Sequence, residues 1–410
     1  MLKKNLKMKL KMMQQSASLS RKTSNFKRIV IDEVYGYNPI RVSVIEIFDR
    51  EISSGGQSKI YLDREGKNVV KLLFNPSDYN YVKKTIEKFR ENNEALNHPS
   101  LKAFPLFCFS GLMDNVRVYG TVMKYFSQRH YKFLDQVNFN QFERINVCRQ
   151  IAEVMDIFRR VGFVYIDISP DNILIDLKTK EVIFIDFESG GIIDSLNAKT
   201  CTDGKCEGLE APEMFLLSLR QNFTYSVYID WWSIAVLFFK LLTDGLHPFI
   251  MFKRFSDDVV EYIKNVGWPN YSSKYWRTDL PNLREVFEKR LSLISDSAME
   301  KFKITFNKGF LKPSERVPPS EWVKVFNDMI EPNIRYEIIK NKKEITFRWK
   351  ALNVKGVTIK IGPCIKNLST SGGIKLKLSS DNLINDIEIV LKGRCGYTKR
   401  IKPEIFLSSP

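Results

Sequence analysis

An acid, an amide and a second acid punctuate two short apolar runs near the middle of the chain, and they constrain the fold around them. The segment Val164-Tyr165-Ile166-Asp167-Ile168-Ser169-Pro170-Asp171-Asn172-Ile173-Leu174-Ile175 places an Asn five residues after an Asp. A second run, Val182-Ile183-Phe184-Ile185, leads into Asp186-Phe187-Glu188. The runs read as short strands about one hairpin apart, so the polar groups stand where the chain leaves the apolar core. Transfer of a phosphoryl group from ATP asks for such a set. One carboxylate orients the attacking hydroxyl and accepts its proton, while an amide and a second carboxylate hold magnesium ions.

Upstream, Glu51-Ile52-Ser53-Ser54-Gly55-Gly56-Gln57-Ser58-Lys59-Ile60-Tyr61-Leu62 reads as strand, flexible turn, strand. The next strand, Asn68-Val69-Val70-Lys71-Leu72-Leu73-Phe74, carries an ammonium group in an apolar run, which is costly unless the charge is paired. Residues 79–97 read as a helix with Val82, Ile86, Phe89 and Leu96 as its inward stripe. Beyond His98-Pro99, a strand pair ends in Tyr119-Gly120-Thr121-Val122-Met123-Lys124-Tyr125-Phe126. Downstream come Ala211-Pro212-Glu213, a long apolar helix opening on Asp230-Trp231-Trp232-Ser233-Ile234-Ala235, then His247-Pro248-Phe249 and Pro313-Ser314-Glu315-Arg316.

In this order the segments resemble the protein-kinase superfamily, with its H-R-D-x-x-x-x-N, D-F-G and A-P-E motifs. The likeness spans roughly residues 41–330 and is closest to eukaryotic-like Ser/Thr protein kinases of bacterial type. It implies an α+β, two-lobed fold: a mostly antiparallel small lobe over about 41–126 and a helical large lobe over about 127–332, with ATP in the cleft. It further implies that Ile52, Gly55 and Ile60 close over ATP and that Lys71 contacts its phosphates. Glu91 pairs with Lys71 in this reading, with Glu87 and Glu94 as competitors. Met123 stands at the back of the adenine pocket, and Lys124, Tyr125 and Phe126 line its edge. Asp167 is the catalytic base, Asn172 and Asp186 hold Mg²⁺ or Mn²⁺, and Glu213, Arg316 and Asp230 are structural. Asp230 is expected to cap backbone N–H groups of the catalytic loop.

Departures from the pattern bear on function. The first and third glycines of the phosphate loop are Ser53 and Ser58. The His and Arg before the catalytic Asp are Tyr165 and Ile166, the Lys two positions after it is Ser169, and Glu188 replaces the Gly of D-F-G. The reading is an ATP-dependent kinase acting on protein Ser/Thr hydroxyls, including its own. Two rivals stand beside it: a pseudokinase scaffold, and a small-molecule phosphotransferase, a class that lacks the same Lys but generally lacks A-P-E as well. Retention of Lys71, Asp167, Asn172 and Asp186 together favours catalysis.

Charge is unevenly placed. Of the net +17, residues 1–28 supply nine cations and no acid, and 334–410 supply sixteen cations against six acids, which leaves 29–333 near neutral. A near-neutral catalytic core argues against specific nucleic-acid binding, although the basic ends can attract anionic partners. The N-terminal 28 residues read as a disordered tail capable of weak contact with a membrane surface. The greasiest run, Ile234 to Leu242, is interrupted by Lys240 and fits a buried helix better than a membrane span. Six scattered Cys, including Cys201 and Cys206, suit reduced thiols in a cytoplasmic chain.

From Arg335 onward the pattern changes to period-two alternation, as in Ile345-Thr346-Phe347-Arg348-Trp349 and Ile387-Glu388-Ile389-Val390-Leu391, with Gly, Pro, Asn and Ser between runs. Residues 333–410 therefore read as a small all-β sandwich, separate from a domain at 29–332. It resembles the immunoglobulin-like modules of many bacterial proteins and is a candidate docking site for a protein partner by strand addition.

Overall fold

The computed structural model describes residues 25–36, 41–54, 58–193, 208–216, 226–252, 257–270, 282–341, 344–361, 364–377, 387–393 and 398–402. Two compact units divide the chain: Met1–Asn138 with Gln150–Trp322, and Phe139–Arg149 with Val323–Pro410. Together they give a mixed α+β protein. The tail residues 1–24, Gly55, and the pair Cys201 and Cys206 lie outside the described residues.

In the first unit, seven strands form one antiparallel sheet: β1 (Phe26–Gly36), β2 (Val44–Phe48), β3 (Ser53–Ser54), β4 (Ser58–Leu62), β5 (Asn68–Leu73), β6 (Phe107–Met113) and β7 (Val116–Lys124). Their order is β2-β1-β6-β7-β5-β4-β3. The sheet curls until its ends meet, where Ile47 bridges Asp63 and the Arg64 N–H donates to the Glu46 carbonyl at 2.9 Å. Ile29, Ile47, Val70, Leu72, Phe109 and Val122 fill the interior. Closure removes the exposed edges that an open sheet would present.

Strand β1 extends the sheet beyond the expected start near 41 and takes in Phe26–Arg28, which read from sequence as part of the tail. Its interleaved Lys27, Arg28, Asp32 and Glu33 hide the alternation, because one face meets solvent while Ile29 is buried. At its crossing with β6, a Cβ on Gly111 would stand 2.3 Å from the Val30 carbonyl oxygen, so no side chain fits there.

The helix expected over 79–97 is two helices. Asn75 caps α1 (Pro76–Arg90), accepting from the Ser77 N–H at 3.0 Å, and Pro76 takes the first turn. Asn92 then starts a second segment, Asn93–Asn97, by accepting from the Ala95 N–H at 3.1 Å. A good N-cap residue inside an apolar stripe interrupts a helix that periodicity alone would continue.

The catalytic-loop segment follows α2 (Gln141–Val161) and is built on short strands. These are β8 (Tyr131–Phe133), β9 (Phe163–Val164), β10 (Ile173–Asp176), β11 (Val182–Phe184) and β12 (Gly191–Ile192). β10 pairs with both β8 and β11, and β12 pairs with β9. The apolar α3 (Val227–Leu242) runs through the large lobe's core, where the Trp232 ring lies 5.4 Å from Phe306 and 5.9 Å from Phe249. Among the described residues no helix is long and apolar enough to cross a membrane.

The second unit takes up the later part of α4 (Pro319–Ile330) and two antiparallel sheets. Its strands are β13 (Asn333–Asn341), β14 (Glu344–Leu352), β15 (Val354–Ile361), β16 (Cys364–Leu368), β17 (Ser371–Lys377), β18 (Ile387–Gly393) and β19 (Thr398–Ile401). The orders are β13-β14-β17 and β16-β15-β18-β19. Phe347, Trp349, Val357, Ile359, Ile389 and Leu391 form a common core, so the sheets pack face to face.

Candidate active site

Strand β5 sets Lys71 directly opposite Thr121 of β7. The Lys71 ammonium is buried and donates to Asp186 Oδ1 at 2.5 Å and to Glu188 Oε2 at 3.1 Å. Burial works against its charge, but Asp186 and then Glu188 outweigh that cost and hold its pKa above the ordinary value. Asp186 has a left-handed backbone (φ 64°, ψ 57°) just after β11, and the chain makes a tight turn at Phe187–Ser189.

Asp167 and Asn172 meet across their loop. Asn172 Nδ2 donates to Asp167 Oδ2 at 2.8 Å and to the Asp167 carbonyl at 2.9 Å. The Ile185 N–H donates to the Asn172 carbonyl at 3.0 Å, which ties the loop to the strand before Asp186. Tyr165 adds a second tie by donating its phenol proton to the Ile185 carbonyl. The Phe187 ring packs 5.1 Å from Phe104 and 5.9 Å from Tyr165, and Phe104 stacks on Phe89 of α1 at 4.5 Å. An aromatic column thus joins α1 to both loops.

Asp230, in the first turn of α3, holds the catalytic loop from below. Its carboxylate accepts from the Tyr165 N–H at 2.7 Å and from the Ile166 N–H at 2.9 Å. Burial pushes its pKa up to about 7, against the pull of those two bonds. Ile166 takes φ 67°, a conformation that strains a β-branched residue by about 1–3 kcal/mol. Its side chain is buried with Val164 against Ile193 and Val227, so an apolar group fills the place of the family's Arg.

Glu213 and Arg316 form a buried bidentate pair, Nη1 to Oε1 at 2.7 Å and Nη2 to Oε2 at 2.6 Å. Arg316 also donates to the carbonyls of Gly309 (2.9 Å) and Tyr228 (2.8 Å), and its guanidinium lies 5.2 Å from the Trp232 ring centre. Gly309 is obligatory beside it, since a Cβ there would come within 2.7 Å of Arg316 Cγ.

The Ile52 N–H donates to the Ile60 carbonyl at 2.7 Å, beside the pairing of β3 with β4. Met123 is buried on β7, and Lys124 is exposed. The Tyr125 N–H is committed to the Lys67 carbonyl at 2.9 Å. Phe126 is buried with Ala103, Leu174 and Ile183, its ring edge-on to Tyr131 at 5.0 Å.

Glu91 is not brought to Lys71. It caps the C-terminal end of α1, is 61% exposed, and pairs with Lys88 at 3.1 Å. The correction has a simple cause: α1 points Tyr79, Val82, Thr85, Ile86 and Phe89 inward, which turns Glu87 and the capping Glu91 to solvent. Glu188 and Thr121 are the site residues that the motif-based reading missed. The signal was available, because an acid stood where the family pattern has glycine.

A profile for the "Protein kinase domain" matches residues 49–302. The chain belongs to the protein kinase family. It is similar to human serine/threonine-protein kinase 32B, 26% identical over 157 residues, which are 37% of this chain and 37% of that one. It is also similar to rat protein kinase C delta type, 26% identical over 195 residues, or 47% of this chain and 27% of that one. Serine/threonine-protein kinase 1 of Orgyia pseudotsugata multicapsid polyhedrosis virus is 25% identical over 124 residues, 28% of this chain and 38% of the viral protein. The matched region thus spans between about a quarter and two fifths of these relatives' lengths. Protein kinases in general use ATP with a divalent metal.

One further kinase-lobe residue carries a pH signature. His247 Nδ1 accepts from the Phe249 N–H at 3.1 Å, so the proton sits on Nε2, which lies 2.7 Å from the Gly208 carbonyl. Burial, with Lys240 adding to it, lowers the ring's pKa to about 4. Between pH 4 and 6.5 the unfolded imidazole binds the proton more readily, so the His247 contribution to stability is present above 6.5 and is lost as pH drops through that window. From pH 7 to pH 5 His247 by itself takes away about 2 kcal/mol, while the raised pKa of Asp230 acts in the opposite direction over the same range. Urea unfolding of the unaltered chain and of His247→Gln at both pH values isolates that share: the variant should come out about 2 kcal/mol better than the unaltered chain on going from pH 7 to pH 5.

Proposed function

We propose that this protein kinase transfers the γ-phosphoryl group of ATP to Ser or Thr hydroxyls of proteins, its own chain among the acceptors, and that residues 29–332 carry the activity. The observation that carries the reading is the convergence of four groups. Asp167 is hydrogen-bonded to Asn172, and Asp186 is paired with Lys71, with the Asn172–Ile185 bond joining the two pairs.

The donor set fits a magnesium–nucleotide complex. Asn172 commits its Nδ2 to Asp167, so its amide oxygen is the atom left for a cation, and Asp186 supplies a carboxylate with 36% side-chain exposure. An amide oxygen and a carboxylate are hard ligands suited to Mg²⁺, which takes few protein ligands and completes its shell with phosphate and water. When bound, the metal neutralises charge on the transferring phosphoryl group.

The chain's own residues do the remaining work. Asp167 orients the acceptor hydroxyl and takes its proton. Asn172 holds Asp167 in place, and Lys71 offers its ammonium to the phosphates. Asp230 supports the backbone under Asp167. Catalysis then rests on positioning and charge stabilisation. The cytoplasm suits this reading. The β unit at 333–410, with its three-on-four sheet order, is read as an immunoglobulin-like module for a protein partner.

Incubation of the purified chain with labelled ATP and Mg²⁺ or Mn²⁺, beside protein acceptors and small hydroxyl or amino compounds, tests the proposal. Phosphoserine or phosphothreonine in protein supports it. Label confined to small compounds favours the small-molecule transferase, and nucleotide binding without transfer favours the scaffold.

Activation-segment phosphorylation is not expected to control the rate. The buried Ile166 offers no cation to a phosphate, although Ser195, Thr200 and Thr202 remain possible acceptors in a segment outside the described residues. Replacing all three with Ala is expected to change turnover by less than about tenfold, or 1.4 kcal/mol of barrier. A hundredfold loss in steady-state rate would show that another basic residue receives the phosphate.

A further inference from the structure

A lysine in an apolar strand needs a counter-charge that stays with it. Sequence reading looks for that acid on α1, but α1 presents none. Glu87 is exposed, Glu91 pairs with Lys88, and Glu94, beyond the end of α1, binds Arg160 at 2.6 Å. The inward position just before Glu87, Thr85, spends its hydroxyl on the Tyr81 carbonyl at 2.9 Å.

The acid comes instead from the metal-binding loop. Glu188 has 3% side-chain exposure, and each of its oxygens has a partner: Oε2 takes the Lys71 ammonium at 3.1 Å and Oε1 accepts from Thr121 Oγ1 at 2.8 Å. Thr121 and Lys71 are themselves cross-strand neighbours, so Glu188 is gripped by two adjoining strands of the small lobe. Asp186, the other partner of Lys71, is far more open to solvent. Two carboxylates share one ammonium, and they differ in how firmly they are held.

We propose that Glu188 is the fixed counter-charge that positions Lys71 for the nucleotide, in place of an acid on α1, and that it frees Asp186 to leave Lys71 for a divalent cation. The inference rests on the proposed kinase activity. Glu188 is a positioning residue: it acts through Lys71. A consequence follows for regulation. Lys71 keeps its partner wherever α1 stands, because Asp186 and Glu188 arrive on the same short turn. The glycine usual at this position would leave Lys71 with a single acid, one also needed by the metal.

The test compares Glu188→Gln, Glu188→Asp and Glu91→Gln with the unaltered full chain. Mg·ATP affinity is read by calorimetry, and kcat and KM are read separately. Glu188→Gln is expected to weaken Mg·ATP binding at least tenfold and to lower kcat/KM at least a hundredfold. Glu188→Asp keeps the charge and should recover part of both, which a space-filling role would not require. Glu91→Gln should stay within twofold of the unaltered chain.

If Glu188→Gln does not fold, an intermediate loss in Glu188→Asp with an unaffected Glu91→Gln still supports the inference. Unchanged binding and turnover in either Glu188 variant overturns it and leaves the kinase reading standing, as does an equal loss in Glu91→Gln. An unaltered chain that binds Mg·ATP without transferring phosphate overturns the kinase reading alone, and the affinities still decide the role of Glu188. No Mg·ATP binding by the unaltered chain overturns both.

Discussion

Lys71→Met and Asp186→Asn are each expected to lower phosphoryl transfer at least about a thousandfold, near 4 kcal/mol of barrier. The two changes act differently on the folded chain. Lys71→Met removes the ammonium that faces the buried Glu188 carboxylate, so a stability loss of a few kcal/mol accompanies the loss of activity. Asp186→Asn keeps the Lys71–Glu188 pair, and its stability should stay within about 1 kcal/mol of the unaltered chain. It should also weaken metal-dependent nucleotide binding, because a carboxylate ligand becomes a neutral amide. Initial rates with saturating Mg·ATP, beside urea unfolding of each variant, separate the two effects. Turnover near that of the unaltered chain in either variant would remove its residue from the catalytic set.

The largest effect on stability is expected at Arg316. Its guanidinium is fully buried and engages Glu213 and two backbone carbonyls. Arg316→Ala leaves the Glu213 carboxylate without its cation and opens a cavity beside Trp232, at a cost of about 3–5 kcal/mol. Glu213→Ala should cost a similar amount, because it strands the more deeply buried partner. Changing both residues to apolar ones of similar volume should recover much of the loss, since no unpaired charge then remains. Urea midpoints of the two single variants and the double variant form a double-mutant cycle that checks this. A single-variant loss below about 1 kcal/mol would mean that the pair is not desolvated in solution.

What the sequence showed and what it hid divide along a physical line. Asp167 and Asn172 are legible because their meeting is local: five residues of turn bring the Asn amide back to the Asp. The order of the motifs likewise announces the family. Strand β1 was not legible, since its alternation is masked by charges and one of its two partners, β6, lies far along the chain. In the β unit, β14 and β18 read cleanly from their alternation. The edge strands β16 and β19 did not, because exposed positions dominate them.

The partner of Lys71 was hidden for a related reason. Distance along the chain pointed to Glu91, but which acid reaches a buried ammonium depends on the helix face and on where α1 stops. Asn92 decides the second point by capping a new helix, and Tyr79, Val82, Thr85, Ile86 and Phe89 decide the first. The strain at Ile166 is invisible in sequence for the same cause: the carboxylate that accepts its N–H, Asp230, is 64 residues away.

The central claim is that Asp167 orients and deprotonates an acceptor hydroxyl beside the Asn172–Asp186–Lys71 group. Transfer of labelled γ-phosphate to protein by the full chain, measured against Asp167→Ala with Mg·ATP affinity recorded for both, tests it most directly. The expected result is Ser/Thr-linked label from the unaltered chain and a rate lower by about a hundredfold to ten-thousandfold in Asp167→Ala, with Mg·ATP affinity nearly unchanged. Equal transfer by the two chains, or none by either, would contradict it.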